Sequence, residues 1–109
     1  MQLGKNFEEI ALNYLKSIGC KLISKNFRCK DGEIDLIVIC DSTLVFVEVK
    51  GSNYLNPIER ITPRKLKNII SCIEYYLSQK PHDGDIRLDV ICINKDHIEH
   101  LRGVEIDTF

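Results

Sequence analysis

Long apolar runs are missing from this chain: none of its 109 residues falls in an 18-residue apolar stretch, so a membrane-spanning helix is not expected. The N-terminus also lacks a short apolar run ahead of a small-residue cleavage site, and Lys5, Glu8 and Glu9 already sit in a helical pattern, so a secretory leader is not expected either. Cys-x-x-Cys pairs are absent. The five cysteines, Cys20, Cys29, Cys40, Cys72 and Cys92, are odd in number and mostly occupy apolar patterns, where cysteine behaves as a small hydrophobe. His82, His97 and His100 lie in turn-like or terminal stretches, which argues against a zinc site or a thiol nucleophile; free buried thiols in a reducing cytoplasm are the simplest expectation. Repeats, linkers and low-complexity segments are lacking, and one domain over residues 1–109 is expected. A strong charge of one sign is lacking too. The net charge of −1 is not that of an ordinary basic nucleic-acid binder, but residues 1–67 hold eleven Lys and Arg against eight Asp and Glu, and the remainder four against eight.

What is present is clear periodicity. Phe7, Ile10, Ala11, Tyr14, Leu15 and Ile18 recur at amphipathic-helix spacing, with Gly19 as the stop. Residues 20–28 read as a strand with an irregularity at Asn26, followed by the turn Lys30-Asp31-Gly32. Residues 33–40 and 43–51 are two β-rich runs joined by Asp41-Ser42, a hairpin. Residues 52–63 read as a loop. Thr62-Pro63 caps a helix that continues through Leu66, Ile69, Ile70, Ile73, Tyr76 and Leu77 to about Gln79. Residues 86–93 and 98–106 complete the pattern as strands. The order is α-β-β-β-α-β-β, an α/β (α+β) architecture with a mixed sheet flanked by helices.

The hairpin carries the chemistry. A two-residue turn sets Asp35 opposite Glu48 and Glu33 opposite Lys50. Strict alternation puts these charges on one face with Ile37, Ile39, Leu44 and Phe46. Glu33 against Lys50 is an ordinary stabilising cross-strand pair. Asp35 against Glu48 is not, because like charges facing across strands are destabilising unless a cation or proton lies between them. Carboxylate oxygens with room for water and phosphate suit Mg²⁺ or Mn²⁺, and Lys50 projects to the same patch, where it can orient a water and stabilise phosphate charge. These parts suit metal-assisted phosphodiester hydrolysis.

Several segments, Gly4-x-x-x-Glu8-x-x-Ala11, Asn26-x-Arg28, Gly32-Glu33-Ile34-Asp35-Leu36-Ile37, Val45-Phe46-Val47-Glu48-Val49-Lys50, Thr62-Pro63-Arg64-Lys65 and Arg87-x-Asp89-Val90, resemble the YraN-like family of uncharacterised bacterial proteins over nearly the whole chain. That family is similar to the PD-(D/E)XK nucleases, in particular to archaeal Holliday-junction resolvases. The resemblance implies a restriction-endonuclease-like fold, branched DNA as substrate class and a Mg²⁺-dependent endonuclease. It also implies Asp35 and Glu48 as metal ligands, Lys50 as the catalytic lysine and Glu8 as an auxiliary acid. The chain departs from the family at Gly51-Ser52, where a small residue and Arg are usual, and at Leu66, where many members have Gln.

Glu8 has two readings, a site acid or a helix-dipole device in a first turn. Arg60, Arg64, Lys65 and Lys67, with Arg28, form a basic group suited to DNA phosphates. Tyr14, Tyr75 and Tyr76 have core spacing and read as packing rather than base-stacking groups. Arg87 and Asp89 read as a structural ion pair. The rivals to a nuclease are an inactive nucleic-acid-binding module and a protein-interaction domain docking through residues 52–61 and the acidic C-terminal half. A resolvase-like activity implies a two-fold homodimer.

Overall fold

The computed structural model describes residues 3–51, 61–95 and 97–104, with side chains from Phe7 onward. Helix α1 (Leu3–Ser17) is followed by strands β1 (Lys21–Cys29), β2 (Gly32–Cys40) and β3 (Thr43–Gly51), helix α2 (Pro63–Gln79), and strands β4 (Ile86–Asn94) and β5 (His97–Leu101). Gly19 ends α1 at φ +96°, a left-handed conformation that glycine adopts without steric cost. At the start of α2, the Thr62 hydroxyl accepts the Lys65 N–H at 3.1 Å, satisfying a donor that has no partner within the helix.

The five strands lie in sequence order, antiparallel except for the parallel β3–β4 pair that α2 connects. Alternation along β3 sends Val45 and Val47 to a core with Ala11 and Leu15 of α1, and Leu44 and Phe46 to a second core with Leu66, Ile69, Cys72 and Tyr76 of α2. The sheet is thus covered on both faces, one helix on each. Phe46, fully buried, contributes about 1.5–3 kcal/mol through burial alone.

Several expectations are corrected. Strict alternation fails in β2: Ile34 joins the α2-side core while Leu36, two residues on, joins the α1-side core. The cause lies in the facing strand, where Asn26 adopts φ +51° between the pairs Lys25↔Leu36 and Phe27↔Ile34, and one left-handed residue reverses which way the strand faces. The thiols are not all free, since Cys20 bridges to Cys40 and Cys29 to Cys72, with Cα separations of 4.3 and 5.4 Å. Apolar spacing alone could not tell a buried thiol from a paired one. Cys92 is free and buried, and burial raises its pKa. Strand β5 stops at Leu101, short of the expected residue 106, because Gly103 at φ +68° turns the chain so that its N–H reaches Asp89. Ile10 and Ile18 stand 37% and 45% exposed, at the margin of the stripe rather than in the core.

Asp89 anchors the C-terminal end of the fold. It is fully buried and accepts from Arg87 Nε and Nη2 at 2.8 and 3.0 Å, from Gly103 N–H at 3.0 Å, and shares a 2.7 Å hydrogen bond with His100 Nε2. His100 Nδ1 bonds in turn to the Tyr14 hydroxyl at 2.9 Å, tying β5 to α1. This is the structural role expected for Arg87 and Asp89. No helix among the described residues is long and apolar enough to cross a membrane.

Candidate active site

The β2–β3 register is the one a two-residue turn dictates, running from Cys40↔Thr43 to Leu36↔Val47. Beyond that pair, backbone pairing gives way to side chains. The Val49 N–H donates to Asp35 Oδ2 at 2.8 Å, and the Asp35 N–H to Glu48 Oε1 at 3.4 Å. The two acids are brought together as expected, each bound to the other's strand, at the point where Asn26 and Asp35 open the sheet.

Glu8, Glu33 and Asp35 each bring a carboxylate oxygen to within 4.8 Å of the other two. Asn26 holds the group together: its Nδ2 donates to Glu8 Oε1 and Oε2 at 3.2 and 3.4 Å and to Glu33 Oε2 at 3.2 Å. Glu33 pairs with Arg28 at 3.5 Å, not with Lys50 as strict alternation requires, because the reversal at Asn26 turns Glu33 toward α1. Helix α1 begins at Leu3, so Glu8 lies beyond the first turn, where the macrodipole acts weakly; its place is set by packing. A Cβ at Gly51 would overlap the Phe7 ring, so only glycine lets Phe7 seat against the end of β3, bringing the neighbouring Glu8 over the acids.

Glu48 is 2% exposed. Burial, reinforced by the charge of Asp35 and partly offset by Lys65 and Lys50, pushes its pKa up to about 7. Asp35 is raised by burial, against the Val49 N–H that stabilises its charge. Lys50 is lowered, first by burial and then by the nearby Lys65. Lys65 reaches Glu48 Oε2 at 3.9 Å. Expected only as a phosphate contact, Lys65 thus also sits beside the buried acid Glu48.

Burial and mutual repulsion oppose the charges of Asp35 and Glu48, a cost that a divalent cation would relieve. The donors are all oxygen, the set that hard cations prefer. Asp35 with Glu8 and Glu33 could hold Mg²⁺ or Mn²⁺; Glu48, expected as a ligand beside Asp35, is not among these three, its Oε1 accepting the Asp35 N–H and its Oε2 facing Lys65. Glu33 and Asn26 are the site residues that sequence reasoning did not assign; an asparagine in mid-strand was the available signal.

A cleft of about 290 Å³ runs from Glu33 to the start of α2, with Thr62, Arg64, Lys65 and Asn68 along it. Lys67 is exposed on α2 and Arg28 on β1, whereas Arg60 lies outside the described residues. Leu66, at the position where family members often carry Gln, is 2% exposed in the α2-side core.

A mixed sheet covered on both faces, with acids and a lysine converging where its central hairpin opens, defines an α+β protein with an acidic cluster at that opening. Residues 7–93 match the profile of the uncharacterised protein family UPF0102, and the chain belongs to that family, the YraN-like family whose motifs its sequence carries. It is 38% identical to a UPF0102 protein of Thermotoga neapolitana over 98 residues, covering 89% of this chain and 92% of the relative. Identity to a Helicobacter pylori UPF0102 protein is 39% over 101 residues, 93% of this chain and 89% of the relative. A Sulfurihydrogenibium relative, also a UPF0102 protein, is 41% identical over 106 residues, 94% and 92%.

Proposed function

We infer that the protein is a Mg²⁺- or Mn²⁺-dependent endonuclease acting on DNA, with branched DNA as the substrate class. The observation that carries this reading is the convergence of Glu8, Glu33 and Asp35 within 4.8 Å beside buried Glu48 and half-buried Lys50. A bound divalent ion supplies Lewis-acid polarisation of a phosphate and an acidified water. The chain's own residues do the rest. Asp35, Glu8 and Glu33 hold the ion, with Asn26 fixing the orientation of Glu8 and Glu33. Lys50 projects to the same patch, where it orients the attacking water and balances charge on the phosphate. Lys65 balances Glu48 and, with Arg64, faces the cleft where a phosphate would lie. The restriction-endonuclease-like fold implied by the family motifs agrees with this division of labour. Symmetric cutting of a four-way junction needs two such sites, hence a two-fold dimer. DNA puts the work in the cytoplasm, where both disulfides are open to reduction.

A second reading, an inactive DNA-binding module, draws support from Leu66: its side chain is in the core and offers nothing to phosphate. The test is cleavage of a labelled four-way junction in Mn²⁺ by wild type, Asp35→Asn and Lys50→Met. The nuclease reading requires cutting by wild type and a loss of at least 100-fold in both variants. Tight, salt-sensitive binding without cutting by wild type would select the module.

A further inference from the structure

Between the β1–β2 turn and α2 lies a cavity of about 480 Å³, lined by Arg28, Cys29, Lys30, Asp31, Ser71 and Tyr75, a size that suits a small organic group. The Cys29–Cys72 disulfide ties its two walls together. Tyr75, expected from its spacing to be a packing residue, is 50% exposed, unlike Tyr76 beside it. Its ring stacks on Phe27 at 6.0 Å and 29°, and Phe27 sits edge-on to buried Tyr76 at 5.2 Å. The Tyr75 ring is therefore held in place while half of its surface stays open, so a flat ligand can stack there at little cost in side-chain freedom. Exposed Arg28 and Lys30 flank it. Asp31 accepts the Ser71 hydroxyl at 2.6 Å through Oδ2, and its Oδ1 is an acceptor for an amino group.

We propose that this cavity binds an unpaired nucleotide of the DNA substrate, its base stacked on Tyr75 and its neighbouring phosphates met by Arg28 and Lys30. An aromatic face flanked by cations is the combination by which proteins hold single-stranded nucleic acid, and Asp31 favours a base with an exocyclic amino group. A base within a duplex cannot enter, so the preferred substrate has a single-stranded segment next to the cut, as a flap or an opened junction does. Arg28 joins the cavity to the acids: it is the register partner of Glu33 and pairs with its carboxylate at 3.5 Å while staying largely exposed. This inference rests on the nuclease reading for its substrate.

The test compares a duplex carrying a short 5′ flap with a blunt duplex of the same sequence. Binding is measured by anisotropy in Ca²⁺, whose looser coordination neutralises the carboxylates without the octahedral geometry of Mg²⁺. Tyr75→Ala should lose roughly 5- to 150-fold in affinity for the flap and nothing for the blunt duplex, while Tyr75→Phe keeps both. The chain has no tryptophan, so Tyr75→Trp introduces a single indole, whose fluorescence should be quenched by the flap and not by the blunt duplex. Equal flap affinity in wild type and Tyr75→Ala, or an equal loss for both DNAs, overturns the assignment. If wild type still cuts in Mn²⁺ in that case, only the cavity's role falls. If wild type binds neither DNA, the nuclease reading falls with it.

Discussion

Replacing Glu48 by Gln should make the metal-free protein more stable above neutral pH, and the gain should depend on pH in a defined way. Glu48 is 2% exposed, and its pKa stands at about 7 against an ordinary 4.5. The folded state therefore holds this proton more tightly than the unfolded chain does. Below pH 4.5 both states are protonated and Glu48 costs the fold nothing through ionisation. Between 4.5 and 7 the unfolded chain releases its proton first, and wild-type stability falls as pH rises. Above 7 the full cost of a buried charge is present, about 3 kcal/mol at 1.36 kcal/mol per pKa unit. Gln keeps the shape and cannot ionise, although it leaves Lys50 and Lys65 without their counter-charge, which reduces the gain at every pH. Urea unfolding followed by circular dichroism in EDTA, from pH 4.5 to 8.5, gives the stability difference between variant and wild type. That difference should rise by about 2–3 kcal/mol across the range, and Mn²⁺ should restore wild-type stability at pH 8. A constant offset at all pH values would refute the placement of Glu48 as a buried acid under strain.

Other outcomes follow from the same geometry. Asp89→Asn should cost about 3 kcal/mol at pH 7 by urea unfolding, because Arg87 is left without its counter-charge. Burial opposes the charge on Asp89, but His100, Arg87 and the Gly103 N–H outweigh it and hold the pKa to about 2. That contribution is present above about pH 4 and lost as pH falls toward 2, so the cost of the variant should shrink in acid. Gly51→Ala should push Phe7 off the end of β3, costing about 1–3 kcal/mol and weakening metal binding through Glu8; unchanged metal affinity would separate Glu8 from the site. The two disulfides close segments of 20 and 43 residues in sequence, and reduction should cost about 3–4 kcal/mol for each. Unreduced protein should show no free thiol but Cys92; five titratable thiols in denaturant would contradict the pairing.

The element order and most boundaries were legible because they rest on local signals: apolar spacing in α1 and α2, the Thr62-Pro63 cap, and Asp41-Ser42, whose two-residue length set the register of Asp35 and Glu48. The acid site was legible in outline from that register alone. Its membership was not. Asn26 reverses the facing of β1 and β2, and nothing in a period-2 pattern says that one residue will do so; hence Glu33 was matched to Lys50 although it turns to Arg28, Asn26 and Glu8. Lys65 reaches Glu48 across the sheet's face, a contact set by how α2 packs and invisible along the chain. The cysteine pairings and the outward half of Tyr75 were hidden for the same reason, since a helical stripe has margins that spacing cannot resolve. The expected loop over residues 52–63 lies, up to residue 60, outside the described residues.

The central claim is that Asp35 and its neighbouring acids form a divalent-metal site. Calorimetric titration of wild type and Asp35→Asn with Mn²⁺ and with Mg²⁺, at pH 8, tests it most directly. The account predicts saturable binding at one site per chain in wild type, and none in an Asp35→Asn protein whose circular dichroism is unchanged. Absence of binding by wild type, or equal binding by the variant, would contradict it.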